Sequence, residues 1–111
     1  MQLLVHITNH EDVVNPIMVK FAKAGLHGAT VVDCEGMLKS LNEDSVEAIF
    51  GGLRQFMNPG RQQNKMIFVV MKDEEIQTAI DIIHEVSGDM KLPNTGILFT
   101  LPITRWEVSK N

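Results

Sequence analysis

Met66-Ile67-Phe68-Val69-Val70-Met71 is the stretch that decides the fold, because it is apolar at every position. Successive side chains of a β-strand point to opposite faces of the sheet, so the even-numbered residues lie on one face and the odd-numbered residues on the other. Both faces of this strand must therefore avoid water. We predict a strand over residues 65–71 that lies inside a sheet.

Two kinds of hydrophobic periodicity surround this strand. Alternation and branched residues predict further strands over residues 3–8, 29–34 and 97–103, with a short edge strand over 105–108. Apolar residues at spacings of three and four predict two helices, one over residues 16–24 and one from about Asp73 to Gly88. The chain therefore alternates strands and helices.

The predicted helix starts carry suitable capping residues. Asn15 offers a side-chain oxygen to cap the first helix, and Pro16 fits the first helical position, where an N–H is not needed. Asp73 can cap the second helix, and Glu74 and Glu75 place negative charge in its first turn, where the helix dipole favours it.

Strand, helix, strand, strand, helix, strand is the βαββαβ order of an α+β, ferredoxin-like domain. In that arrangement both helices pack on one face of an antiparallel sheet and leave the other face open. Because the strand over 65–71 is apolar on both faces, the open face also needs a cover, and a further copy of the chain is the simplest one. The sequence therefore predicts a homo-oligomer.

Length and composition agree with a single domain over residues 1–111. No apolar run approaches the roughly 20 residues of a membrane span, and the first residues lack the features of a secretory signal, so we expect a cytoplasmic protein without membrane insertion. One cysteine, Cys34, suits a reducing compartment. A net charge of −4 argues against a nucleic-acid partner.

The chain resembles the PII signal-transduction proteins, which act in nitrogen regulation. The likeness covers most of the chain and includes the closing stretch Thr95-Gly96-Ile97-Leu98-Phe99-Thr100-Leu101-Pro102-Ile103. The residues that carry it are Gly25, Gly28, Thr30, Val31, Gly36, Gly96, Leu98 and Phe99.

This resemblance implies a homotrimer with the sheets turned inward and with clefts between subunits that bind small effectors, usually adenine nucleotides. It also implies a long loop, here residues 37–64, that docks on a regulated membrane transporter or enzyme. Thr30 matches a position that contacts adenine in the family, although a branched residue also suits a strand for its own sake. The ligand-binding residues expected at the clefts are Thr30, Gly36, Lys39, Lys91, Thr95, Gly96 and Lys110.

The chain departs from the PII pattern where the family holds nucleotide phosphates. The family's glycine-rich turn ends in Gly-Lys, but residues 90–97 here read Met-Lys-Leu-Pro-Asn-Thr-Gly-Ile, so Ile97 replaces the phosphate lysine. Pro93 lacks an N–H, which depletes the backbone donors for an anion. The two late arginines of the family fall on Val108 and Lys110. AMP, ADP or another adenine ligand is therefore expected in preference to ATP, and no other cofactor is expected.

The segment between the second and third strands also differs from the family's loop. Apolar residues between Val46 and Met57 recur at helical spacing and predict an extra amphipathic helix, which Gly51-Gly52 interrupts. This apolar stripe either packs on its own trimer or docks on a partner protein with the glycines as a hinge. In the second case the partner-binding residues are Phe50, Leu53, Arg54 and Phe56.

Three classes of function follow from these patterns. The first, which we favour, is a non-enzymatic regulator whose effector shifts the loop between conformations. The second is a CutA-like or other ferredoxin-fold metal-binding trimer that uses His6 or His27, with His6 able to meet its symmetry copies if the face it shares with Leu4 and Thr8 points inward. The third is a small enzyme with its site between subunits. The spacing of the residues indicates neither catalytic residues nor metal ligands.

Overall fold

The computed structural model describes residues 1–36, 64–88 and 96–109. The predicted extra helix between the second and third strands lies outside these residues. The described chain forms six main elements in the predicted order. They are β1 (Gln2–Thr8), α1 (Val14–Lys23), β2 (Thr30–Cys34), β3 (Asn64–Met71), α2 (Ile76–Ser87) and β4 (Ile97–Pro102).

The four strands form one sheet in the order β2-β3-β1-β4, and every neighbouring pair is antiparallel. Each helix therefore connects two strands that are separated by a third strand. This is the split βαβ connectivity of a ferredoxin-like fold, as the sequence predicts. Strands β2 and β4 are the two edges of the sheet.

The core lies between one face of the sheet and the two helices. Leu4 of β1 pairs with Val69 of β3, and both side chains are buried beneath the helices. Ile17 and Phe21 of α1 and Ile83 of α2 are also buried and belong to the same cluster. Burying a side chain of this size contributes about 1.5–3 kcal/mol, so these residues fix the helices to this face. We call it the helix face.

The first helix begins earlier than its capping pattern indicates. A 3-10 turn over Glu11–Val13 leads into α1, which starts at Val14, so Asn15 is not the cap. Pro16 is the third helical residue. It remains compatible with the helix because backbone N–H groups of the first turn have no partner inside the helix.

The second helix also starts in a different way from the prediction. Asp73 opens a 3-10 turn and makes no capping bond; its carboxylate instead lies 3.1 Å from the amino group of Met1. Glu75 accepts a hydrogen bond from the backbone N–H of Lys72 at 3.0 Å. The amino group and a hydrogen bond from Gln2 lower the pKa of Asp73, so this carboxylate joins the start of β1 to the start of α2.

The predicted edge strand over 105–108 is wrong, because these residues form no strand. Strand β1 pairs with β4 as far as Gln2 and Pro102, and the last bond of this ladder runs from the Ile103 N–H to the Met1 carbonyl at 3.0 Å. Residues 104–109 are in no strand pairing. Among the described residues, no helix has the length and apolar character that crossing a bilayer requires.

Candidate functional site

The side of the sheet opposite the helices is apolar and partly exposed, and we call it the open face. Several of its side chains are exposed to solvent, including Ile97 at 58%, Leu101 at 48% and Phe99 at 40%. The strand pairing places the following apolar residues on the open face: Leu3, Val5, Ile7, Val32, Met66, Phe68, Val70, Ile97, Phe99 and Leu101.

The open face carries no charged residue in any of the four described strands. The remaining strand residues on this side are Thr30, Cys34 and Asn64, which are polar or weakly polar. The charged strand residues Asp33 and Lys65 pair with each other on the opposite side. A sheet that faced water would be expected to place charges on this side as well.

The size of the open face matters for its role. Four strands about 4.8 Å apart, each with about six residues at about 3.4 Å per residue, span about 400 Å². This lies within the range of the largest apolar patches on monomers, which are often functional. Removing 400 Å² of apolar surface from water contributes about 10 kcal/mol per subunit, which is comparable to the cost of association.

Two of the predicted ligand residues lie at opposite edges of the sheet. Thr30 is exposed on β2 and pairs with Phe68 of β3. Gly96 immediately precedes β4, the other edge strand. Three strand spacings of about 4.8 Å separate β2 from β4, so these residues are about 14 Å apart or more within one subunit. One subunit therefore does not bring them into a single small-molecule site.

Gly96 has a structural reason to be glycine. Its φ is +104°, and a Cβ at this position would lie 2.2 Å from the carbonyl oxygen of Ile7. No side chain fits there, because the backbone of the turn into β4 packs directly on β1. Gly36, beyond the end of β2, is less restricted, since a Cβ would lie 3.0 Å from the side-chain nitrogen of Asn64.

The other predicted site residues lie outside the described part of the chain, and their predictions stay untested. For the ligand cleft these are Lys39, Lys91, Thr95 and Lys110, and for the partner surface they are Phe50, Leu53, Arg54 and Phe56.

His6 points to the helix face and is fully buried. Its Nδ1 lies 3.0 Å from the carbonyl oxygen of Ile97, and its Nε2 has no hydrogen-bond partner among the described residues. Burial is the main cause that lowers the pKa of His6; the Ile97 carbonyl opposes this shift and His84 adds to it. The condition under which His6 could meet its symmetry copies is not met, because the face that it shares with Leu4 and Thr8 is covered by the subunit's own helices.

Sequence reasoning did not identify the unusual setting of His6, although a signal was present. His6 lies two residues from Leu4 and two from Thr8, so the three side chains share one face of the strand, and both of these neighbours are buried. A histidine in phase with core residues of a central strand is expected to be buried.

A second polar cluster lies around Lys65 of β3. Its amino group forms ion pairs with Asp33 of β2 and with Glu11 of the turn before α1, the latter at 3.3 Å. Hydrogen bonds to Asp33 and then to Glu11 raise the pKa of Lys65. Both of its partners are exposed, so this cluster joins three elements at the surface and indicates no catalytic site.

The described residues contain no group of three or more histidine, cysteine or acidic side chains that could hold a metal ion. Cys34 is a free, half-buried thiol on β2.

Comparison with known proteins adds no assignment: no protein-family model matches the chain, and no curated protein matches it.

Proposed function

We propose that the chain is a non-enzymatic regulator of the PII type, a homotrimer that binds an adenine nucleotide in clefts between subunits and controls a partner protein through residues 37–64. The observation that carries this proposal is the charge-free open face. A face of about 400 Å² that is mostly apolar and carries no charge on any of its four strands suits burial against further copies of the chain.

The positions of Thr30 and Gly96 support a ligand site shared by two subunits. They lie on opposite edge strands, so one subunit cannot use both on one small molecule, whereas β2 of one subunit can lie near β4 of the next in a closed ring. Thr30 and Gly96 are named as ligand contacts because of the PII resemblance, and the order of the strands in the sheet is compatible with a site that two subunits share.

The expected nucleotide is AMP or ADP. Ile97, which stands where the family has its phosphate lysine, is 58% exposed and offers no charge to a γ-phosphate. The energy of binding would then come from the adenosine and from fewer phosphate contacts, which favours the shorter nucleotides.

Two measurements on the full chain test this proposal. Sedimentation velocity at micromolar concentration should give about three times the 12.4 kDa mass of one chain. Isothermal titration calorimetry should give saturable binding of AMP or ADP, with weaker binding of ATP. A monomer, or a trimer that binds none of the three nucleotides at millimolar concentration, would contradict the regulator.

Thr30→Val separates the two interpretations of Thr30. Valine keeps the branched shape that a strand favours and removes only the hydroxyl. If the hydroxyl contacts the nucleotide, losing one hydrogen bond of about 0.5–1.5 kcal/mol weakens binding about twofold to tenfold, which calorimetry measures. Unchanged affinity would leave Thr30 as a strand residue only. Thermal unfolding of the variant serves as the control for its fold.

Measurements on the same protein samples also test the two alternative functions, a metal-binding trimer and an enzyme. His27 is exposed and His6 is buried under the helices, so these two histidines do not form a common metal site within one subunit. A thermal shift with Cu²⁺ or Zn²⁺ in the absence of any nucleotide response would nevertheless favour that class. No described cluster favours an enzyme.

A further inference from the structure

The buried ring of His6 uses one of its two nitrogens in a hydrogen bond. Buried polar side chains normally have hydrogen-bond partners for their donors and acceptors. Thr8, the other buried polar side chain in the described core, follows this rule, because its hydroxyl accepts a bond from the His10 N–H at 3.0 Å. In His6 one ring nitrogen is bonded and the other is not.

The bonded nitrogen determines the tautomer. A carbonyl oxygen only accepts hydrogen bonds, so Nδ1 must carry the proton that it donates to Ile97. In the neutral ring Nε2 is then a bare lone pair, which tolerates an apolar setting better than an N–H of a cation does. Ser87 Oγ, in the last residue of α2, is a second buried polar atom without a partner.

The residues around the His6 ring belong to the place where α2 ends and β4 begins. Leu98 of β4 pairs with His6 across the sheet, Ile97 accepts its Nδ1–H, and His84 of α2 acts on its charge. The Gly88 N–H closes the last turn of α2 through a bond to the His84 carbonyl at 2.9 Å. We call residues 84–88 together with 96–98 the α2–β4 junction.

We propose that His6 is a proton-sensitive latch for the α2–β4 junction, closed when the imidazole is neutral and opened when it becomes an imidazolium. The protonated ring gains an N–H at Nε2 that finds no acceptor in the closed interior, and it carries a charge in an apolar core. Opening the junction lets water reach Nε2. Strand β4 is the weak side of this enclosure, because it is an edge strand of the subunit's sheet.

Within residues 1–36, 64–88 and 96–109, the groups that surround His6 do not supply a compensating negative charge. Strand β4 has no titratable residue, and β3 offers Lys65, which is held by Asp33 and Glu11. On the helices, Lys20 of α1 is paired with Glu85 of α2 at 3.0 Å. The remaining titratable residues of these elements are Lys23 on α1, Asp81 and His84 on α2, and Asp12 in the turn before α1. His84 is the one whose charge acts on His6, and it opposes protonation.

The direction of the pH response follows from proton linkage. In the open junction His6 has an ordinary pKa near 6.5, and in the closed junction burial holds its pKa lower. Protons therefore bind the open form more tightly, so its population rises as pH falls below about 6.5. The rise is at most about tenfold per pH unit and ends when pH reaches the lower pKa.

Hydrogen exchange followed by NMR on the full chain tests the latch. Protection factors, which remove the pH dependence of the intrinsic exchange rate, are measured from pH 7.5 to 5.5. We expect those of the Gly88 amide and of the Ile97 amide, which lies in the hydrogen-bonded pair with Ile7, to fall by up to about tenfold between pH 6.5 and 5.5. The Ile103 amide, bonded to Met1 at the far end of the β4 ladder, should keep its protection factor and is the internal control.

His6→Asn supplies the matched variant, since its side-chain amide can still donate to the Ile97 carbonyl but does not titrate. Its protection factors should be independent of pH, whereas His27→Asn, at an exposed histidine, should keep the wild-type response. The latch is overturned by a pH-independent junction in the wild type, by an equal fall at Ile103, or by a response that survives in His6→Asn. If His6→Asn does not fold, the comparison of Gly88 with Ile103 in the wild type decides.

Discussion

Phe99→Glu should convert the assembly to monomers at micromolar concentration. Phe99 lies on the open face at 40% exposure, in one row with Val5 and Phe68. If this face is buried between subunits, every subunit of the variant brings an uncompensated carboxylate into an apolar interface. The effective cost of desolvating such a charge is several kcal/mol per ion, which removes a large part of the roughly 10 kcal/mol that burial of the face contributes.

Sedimentation velocity is the measurement, with circular dichroism to show that the variant remains folded. The subunit should tolerate the change because Phe99 is on an edge strand and is already partly solvated. We expect the mass to fall to that of one chain and the adenine-nucleotide affinity to fall with it, since the proposed site is shared between subunits.

Val31→Glu is the matched control. Val31 is also an apolar strand residue, 39% exposed, but it pairs with Ile67 and therefore belongs to the helix face. The same charge at nearly the same exposure should leave the assembly intact, because it lies on the other side of the sheet. Dissociation by both variants, or by neither, would contradict the open face as the subunit interface.

Gly96→Ala should give a large loss of stability in the fold itself. The new Cβ would lie 2.2 Å from the Ile7 carbonyl oxygen, well inside contact distance, and its backbone has a φ of +104° that alanine rarely adopts. The pairing of Ile97 with Ile7 must shift to make room. We expect a loss of about 3 kcal/mol, or a fall in Tm of about 12–24 °C for a domain of this size.

Gly25→Ala separates the steric effect from the conformational one. Gly25 has a similar φ of +80°, but a Cβ there would meet nothing within 4 Å. It should therefore cost only the left-handed backbone conformation, about 1 kcal/mol. Both variants are compared at one protomer concentration, since association shifts apparent stability. If the two variants lost equal free energies of unfolding, the contact of the new Cβ with Ile7 would contribute nothing to the loss of stability.

Local periodicity was sufficient to predict the two described helices, the main strands and their order. A strand with both faces apolar, such as residues 66–71, identifies a sheet that needs two covers, because alternation is a property of the backbone alone. The βαββαβ order then restricts the topology to few alternatives, and the ferredoxin-like connectivity followed. The helix starts were less predictable, since Asp73 is bonded to the amino group of Met1, a residue distant in sequence.

The candidate site depended more strongly on tertiary structure. Residue type alone made Thr30 and Gly96 candidates, but only the strand order β2-β3-β1-β4 places them at opposite edges of one sheet. The sequence also determined that His6 shares a face with Leu4 and Thr8. Which face the helices cover was decided by packing, because alternation distinguishes two sides of a strand without saying which of them meets the helices. That choice buries His6 and leaves Phe99 open to a partner.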